Sequence, residues 1–134
     1  MDNRNNASTT WAPALGRLLL SVLFLASGIG KLTAPAATIA YIASAGLPLP
    51  SVSYGVAAFV EVVGGALLLV GYRTRPVAAV LCLFTLAAAV FFHNHFADQN
   101  QLIHFLKNLA IAGGLLQVVA FGGGAWSLDA RRRR

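Results

Sequence analysis

The sequence predicts an all-α membrane protein, a bundle of four transmembrane helices, and three observations carry that expectation. Only 10% of the 134 residues are charged and 57% are hydrophobic, giving a mean hydropathy of +0.71; a soluble domain carries about 25% charged residues. Four apolar runs, each close to the roughly 20 residues that cross a bilayer, occupy most of the chain. Basic residues collect at the ends of those runs, where topology rather than nucleic-acid binding accounts for them.

Residues 1–13 are polar, rich in Asn, Ser and Thr, and read as a disordered cytoplasmic tail ending at an interfacial Trp11. A single membrane domain is expected to fill 14–128, and 129–134 to form a basic cytoplasmic tail. The first span is expected over about 14–32. Arg17, Ser21, Phe24, Gly28 and Lys31 recur there at steps of three and four, so they share one helix face, and that face looks inward. A basic residue before an apolar core, with Ala34-Pro35-Ala36 after it, also fits a cleavable signal loosely. The small-residue face favours the packed span.

Between Pro35 and Gly46 the spacing predicts a short helix over 36–45, too short to span and expected in the first external loop to lie at the interface or cap the bundle. The second span covers about 52–70 and carries Glu61 near its midpoint, with Gly64 and Gly65 a turn further on. Tyr72 to Pro76 make a short turn that forces the third span, 77–92, antiparallel. A polar loop with His93, His95 and Asp98 leads to the fourth span, 102–121, closed by Gly122-Gly123-Gly124.

Eight of the ten basic residues, Arg4, Arg17, Arg73, Arg75 and Arg131 to Arg134, fall on the side shared by the N-terminus, the 72–76 turn and the C-terminus. The positive-inside rule then makes both termini cytoplasmic. The single cysteine, Cys82, excludes an internal disulfide and a C-x-x-C redox pair, so a redox role would need a cofactor from outside the chain.

Two charges sit where lipid should be, Glu61 and Lys107. His104, Lys107, Asn108 and Ile111 follow the spacing of one face, and counting residues places Lys107 within reach of Glu61. Glu61 and Lys107 then form either a structural ion pair that fixes helix register or a ligand and proton site walled by Asn108, with Lys31, His104 and His93 around it, in the outer half of the bundle. Lys31, at a helix end, is expected chiefly to snorkel to the head groups. The histidines match no metal template, and no metal is expected.

Arg17, Gly28-Ile29-Gly30-Lys31-Leu32, the run from Glu61 to Gly71, Arg75-Pro76-Val77-Ala78-Ala79, Phe92-His93-Asn94, Phe105 to Ala110, Gly113-Gly114-Leu115-Leu116 and Ser127-Leu128-Asp129 occur in an order that resembles the DoxX family of small four-helix membrane proteins. His95-Phe96 departs from the Phe-Trp often found there. The resemblance implies a multi-pass protein of the bacterial inner membrane, a subunit or accessory of a quinone-linked redox or oxidative-stress system, with no intrinsic cofactor and quinone as the candidate ligand. Lys107 and Asn108 would then donate hydrogen bonds and Glu61 would relay protons. Partners would be the lipid bilayer, a redox protein and a second copy, with no nucleic acid. The alternatives are a non-enzymatic assembly module and, below it, a small proton-coupled exporter. Catalysis is assigned to no residue; at most the chain is an accessory of an oxidoreductase.

Overall fold

The computed structural model describes residues 10–134. Among them the chain folds into six helices and no strand: α1 (Ala12–Thr33), α2 (Pro35–Ser44), α3 (Pro50–Val70), α4 (Thr74–Phe92), α5 (Gln99–Phe121) and α6 (Leu128–Arg132). Of these, α1, α3, α4 and α5 are long and apolar enough to cross a membrane. Most of the tail expected over 1–13 lies outside the described residues, and its last two residues already belong to α1.

The spans begin two or three residues earlier than hydropathy alone places them. Proline is the reason at three starts: Pro13, Pro50 and Pro76 sit in the first turns of α1, α3 and α4, where a missing N–H costs nothing and the fixed φ suits a helix. At the fourth, Asp98 caps α5 by accepting from the Asn100 backbone N–H at 2.9 Å. The third span therefore has 19 residues, about 28 Å at helical rise, and needs no thinning of the bilayer.

Arg17, Ser21, Phe24 and Gly28 are the buried residues of α1, the face that the three-and-four spacing predicts. They pack on α3, while α4 packs on α5, and the two pairs meet around a core of Phe24, Leu68, Leu81, Cys82, Ala112 and Leu115. The surrounding Leu, Val and Phe side chains stay exposed on the outside of the spans, as a bilayer requires.

One end of the bundle is held by polar contacts that the sequence does not announce. Arg17, 2% exposed, donates from Nη1 to the Leu68 and Leu69 carbonyls (3.0 and 2.8 Å), from Nε to Gly123 O (2.9 Å) and from Nη2 to Trp126 O. Leu68 and Leu69 are in the last turn of α3, whose carbonyls lack helical partners and carry the negative end of the helix dipole. A guanidinium from α1 thus closes α3. Gly71 follows at φ +73, and Tyr72 N–H returns to Leu67 O at 3.0 Å, a glycine-dependent stop.

Asp129 completes this end. Its carboxylate accepts from the backbone N–H groups of Arg73 and Thr74 (both 2.8 Å) and from the Thr74 hydroxyl (2.7 Å). It caps α4 from 55 residues away. Burial alone would raise its pKa, but the Thr74 and Arg73 hydrogen bonds and the charge of Arg133 outweigh that and hold it below the ordinary carboxylate value. Asp129, expected as the first residue of a tail, is an inter-helix clasp.

Candidate functional site: a polar cavity at the opposite end

At the far end the helices separate and enclose a cavity of about 900 Å³. Its walls come from α1, α3, α4 and α5, and α2 closes over it through Thr38, Tyr41 and Ile42. The Tyr41 ring stacks on Phe92 with centroids 5.3 Å apart, joining the short helix to the end of α4. Most of the lining is aliphatic or aromatic; the polar groups are Ser27, Lys31, Thr38, the Tyr41 hydroxyl, Ser53, Glu61, Thr85, His93 and Asn108. Tyr41, Leu49, Val52, Val56 and Phe91, each more than half exposed, line it as well, so the cavity is open to the surface near the α2–α3 loop and the adjoining ends of α3 and α4.

Glu61 is 4% exposed and does have a cationic partner, but that partner is Lys31. The Lys31 ammonium lies 2.9 Å from Oε2 and donates to Oε1 at 3.1 Å. Ser27 bridges the pair, donating to Glu61 Oε1 at 3.1 Å and accepting from Lys31 at 2.9 Å. Ser27 and Lys31 are one turn apart, which puts them side by side on α1. Oε2 is the oxygen nearer the ammonium and has no second partner among the described residues.

The backbone allows this meeting because of Gly28. A Cβ there would lie 2.6 Å from Val62 Cγ2 and 3.0 Å from Glu61 Cβ, so only glycine lets α1 and α3 approach at the level of the pair. Tyr54, seven residues before Glu61 and hence on the same face of α3, donates its hydroxyl to the Lys31 carbonyl at 3.1 Å. Lys31 is gripped by α3 at both ends, and its side chain runs into the bundle instead of snorkelling outward.

Lys107 does not join the site. It is exposed, is absent from the cavity wall, and has no ion pair or hydrogen bond among the described residues. The inward face of α5 runs through Asn108, Ile111, Ala112 and Leu115. Successive helical residues point about 100° apart, so placing Asn108 inward turns Lys107 toward lipid. Asn108 lines the cavity and donates to Thr85 O at 3.4 Å, tying α5 to α4.

His93 reaches the cavity rim, where its Nδ1 lies 3.3 Å from Gln101 Oε1. His104 stacks on His93 with centroids 5.0 Å apart and stands outside the wall. No group of three or more His, Cys, Asp or Glu residues is placed to hold a metal among the described residues. The residues that sequence reasoning missed are Ser27 and Tyr54. Each carried a signal, Ser27 as the polar residue one turn before Lys31 and Tyr54 as the polar residue two turns before Glu61.

Comparison with known proteins agrees with this architecture. The DoxX family model matches residues 12–94. Inner membrane protein YqjF of Escherichia coli (strain K12) is 38% identical over 118 residues, covering 86% of this chain and 87% of that protein. Inner membrane protein YphA of the same organism is 34% identical over 123 residues, 87% of each. No solved structure matches significantly. With the family model covering more than half of the chain, and both relatives covering most of it, this chain belongs to the DoxX family and is a multi-pass protein of the bacterial inner membrane.

Proposed function

We propose that the protein is a ligand-binding membrane subunit or accessory of a quinone-linked redox or oxidative-stress system. Its ligand is a small lipid-soluble ring compound of the quinone type. With the basic residues cytoplasmic, the cavity occupies the outer half of the bundle. The observation that carries the reading is a largely apolar cavity of about 900 Å³ in which a buried Glu61 is paired with Lys31. Drug-sized ligand sites have about this volume, apolar walls and a few convergent polar groups. Phe84, Phe91 and Phe92 would flank a ring, and Glu61, Lys31 and Ser27 would meet its polar edge. When bound, a quinone would supply the electron-carrying chemistry that the chain's own residues lack.

The test is titration of a short-chain benzoquinone and its hydroquinone into protein reconstituted in nanodiscs. The reading expects saturable binding of at least one form, weakened in Glu61→Ala and unchanged in Lys107→Ala. Absence of binding in the wild type, or equal binding in Glu61→Ala, contradicts it.

A second reading, a membrane assembly module, draws on Lys107, a lysine on a lipid-facing helix surface. It expects Lys107→Ala to lower recovery of a partner complex while leaving ligand titration unchanged.

A further inference from the structure

We propose that the arginine-bearing end of the bundle binds an anionic phospholipid, its phosphate held by Arg131 and Arg134 and its acyl chains leaving along Leu69 and Val70. This site lies at the opposite end from the Glu61 cavity and does not depend on what that cavity binds.

The segment after α5 turns back onto the ends of two spans. Arg17 ties the Trp126 carbonyl to the last turn of α3, Asp129 donates its backbone N–H to Gly71 O at 2.9 Å, and the Asp129 carboxylate grips the start of α4. Between this returning segment and the end of α3 is a second cavity, of about 560 Å³. Leu69 and Val70 form one wall, and Trp126, Leu128, Arg131 and Arg134 form the other. The contacts of Arg17 and Asp129 hold both walls, so the cavity is a property of the fold and not of a loose tail.

The four terminal arginines are not equivalent. Arg132 lies over the Tyr72 ring, 5.2 Å from its centroid, and the charge of Arg133 acts on Asp129. Arg131 and Arg134, three residues apart and so on one side of the last turn, line the cavity. Neither guanidinium has a hydrogen bond or an ion pair among the described residues. No Asp or Glu side chain lines the cavity, and the nearby Asp129 carboxylate is committed to Arg73 and Thr74. Two like charges thus share one pocket without a carboxylate to balance them. A phosphate placed there accepts from both guanidinium forks and offsets their repulsion.

Three features make that anion a lipid. Trp126 is 64% exposed beside the arginines, the placement of an aromatic ring at headgroup level. Leu69 and Val70 are the last two residues of a spanning helix and are exposed, so an apolar wall leads from the pocket toward the hydrocarbon. The positive-inside rule puts this end at the cytoplasmic surface, where basic pockets beside spans take anionic head groups. A zwitterionic head is a poorer match, because its ammonium would face arginines and no carboxylate side chain.

The test reads Trp126 fluorescence in the full chain carrying Trp11→Phe, which leaves Trp126 as the single tryptophan. The protein is reconstituted in phosphatidylcholine vesicles containing increasing fractions of dibrominated phosphatidylglycerol, with dibrominated phosphatidylcholine as the reference. Bromine quenches on contact, so the two curves give the relative affinity of the site for the two heads. Phosphatidylglycerol should be preferred about fivefold or more, the effect of one basic side chain at an anionic surface. Arg131→Gln and Arg134→Gln should each remove most of that preference, whereas Arg133→Gln, which takes the same charge from the same run outside the cavity wall, should leave it nearly unchanged. Equal quenching by the two lipids in the parent chain overturns the proposal, and that comparison decides even where a variant unfolds. Equal losses in Arg131→Gln and Arg133→Gln also overturn it, because they report the diffuse charge of the tail and not a site. A preference abolished by inorganic phosphate at constant ionic strength assigns the pocket to a soluble anion and overturns the lipid assignment.

Discussion

Lys31 and Glu61 meet at 2.9 Å although they belong to different spans and lie 30 residues apart. The contact depends on two neighbours. Gly28 lets α1 reach α3, and Tyr54 holds the Lys31 carbonyl two turns above the carboxylate. A charge in the bilayer costs about 2.5–3.5 kcal/mol on insertion scales, and the pair, bridged by Ser27, offsets that cost for both residues.

Gly28→Ala should separate α1 from α3 and destabilise the protein by about 1–3 kcal/mol, the usual range for overpacking. Gly30, two residues on, faces open space, so Gly30→Ala should be neutral or slightly stabilising through helix propensity. Unfolding of the two variants side by side in the same micelles reads the difference.

Arg17→Lys should cost about 2 kcal/mol or more. The guanidinium spreads its N–H groups over four carbonyls from two parts of the chain, and a single ammonium cannot reproduce that fork. Loss of the charge-assisted hydrogen bonds at the α3 terminus gives the magnitude. The check is the unfolding free energy of the conservative variant, with protease sensitivity of residues 122–134 as a local readout.

Asp129 predicts an acid-sensitive clasp. Its folded pKa is depressed, so its contribution is fully present above the unfolded carboxyl value near about 4 and is lost as pH falls through the lower folded value. Proteolytic release of the C-terminal segment should be flat between about pH 7 and 5 and rise below about 4. Asp129→Asn should cost about 1 kcal/mol, as removal of a helix cap does, and abolish the acid dependence.

The spans, their antiparallel order and the inward face of α1 were legible because each is a property of local periodicity and hydropathy. Arg17, Ser21, Phe24 and Gly28 needed only a helical wheel. Glu61 could be placed inside by the same argument. Its partner could not, because hydropathy locates a lysine along a helix without saying which element it faces. Lys107 and Asn108 are neighbours in sequence but about 100° apart around α5, and treating them as one face assigned the wrong lysine to Glu61. Asp129 was unreadable for another reason. Its work is to cap a helix that starts 55 residues earlier, and nothing local to Ser127-Leu128-Asp129 reports that contact.

The central claim is that Glu61 answers to Lys31 and not to Lys107, and a pair of double-mutant cycles on unfolding free energy tests it most directly. Lys31→Met with Glu61→Gln should show a coupling of about 1–3 kcal/mol, the range for residues in one polar network, while Lys107→Met with Glu61→Gln should be additive within about 0.5 kcal/mol. Additive behaviour of the Lys31 cycle, or strong coupling in the Lys107 cycle, would contradict the account.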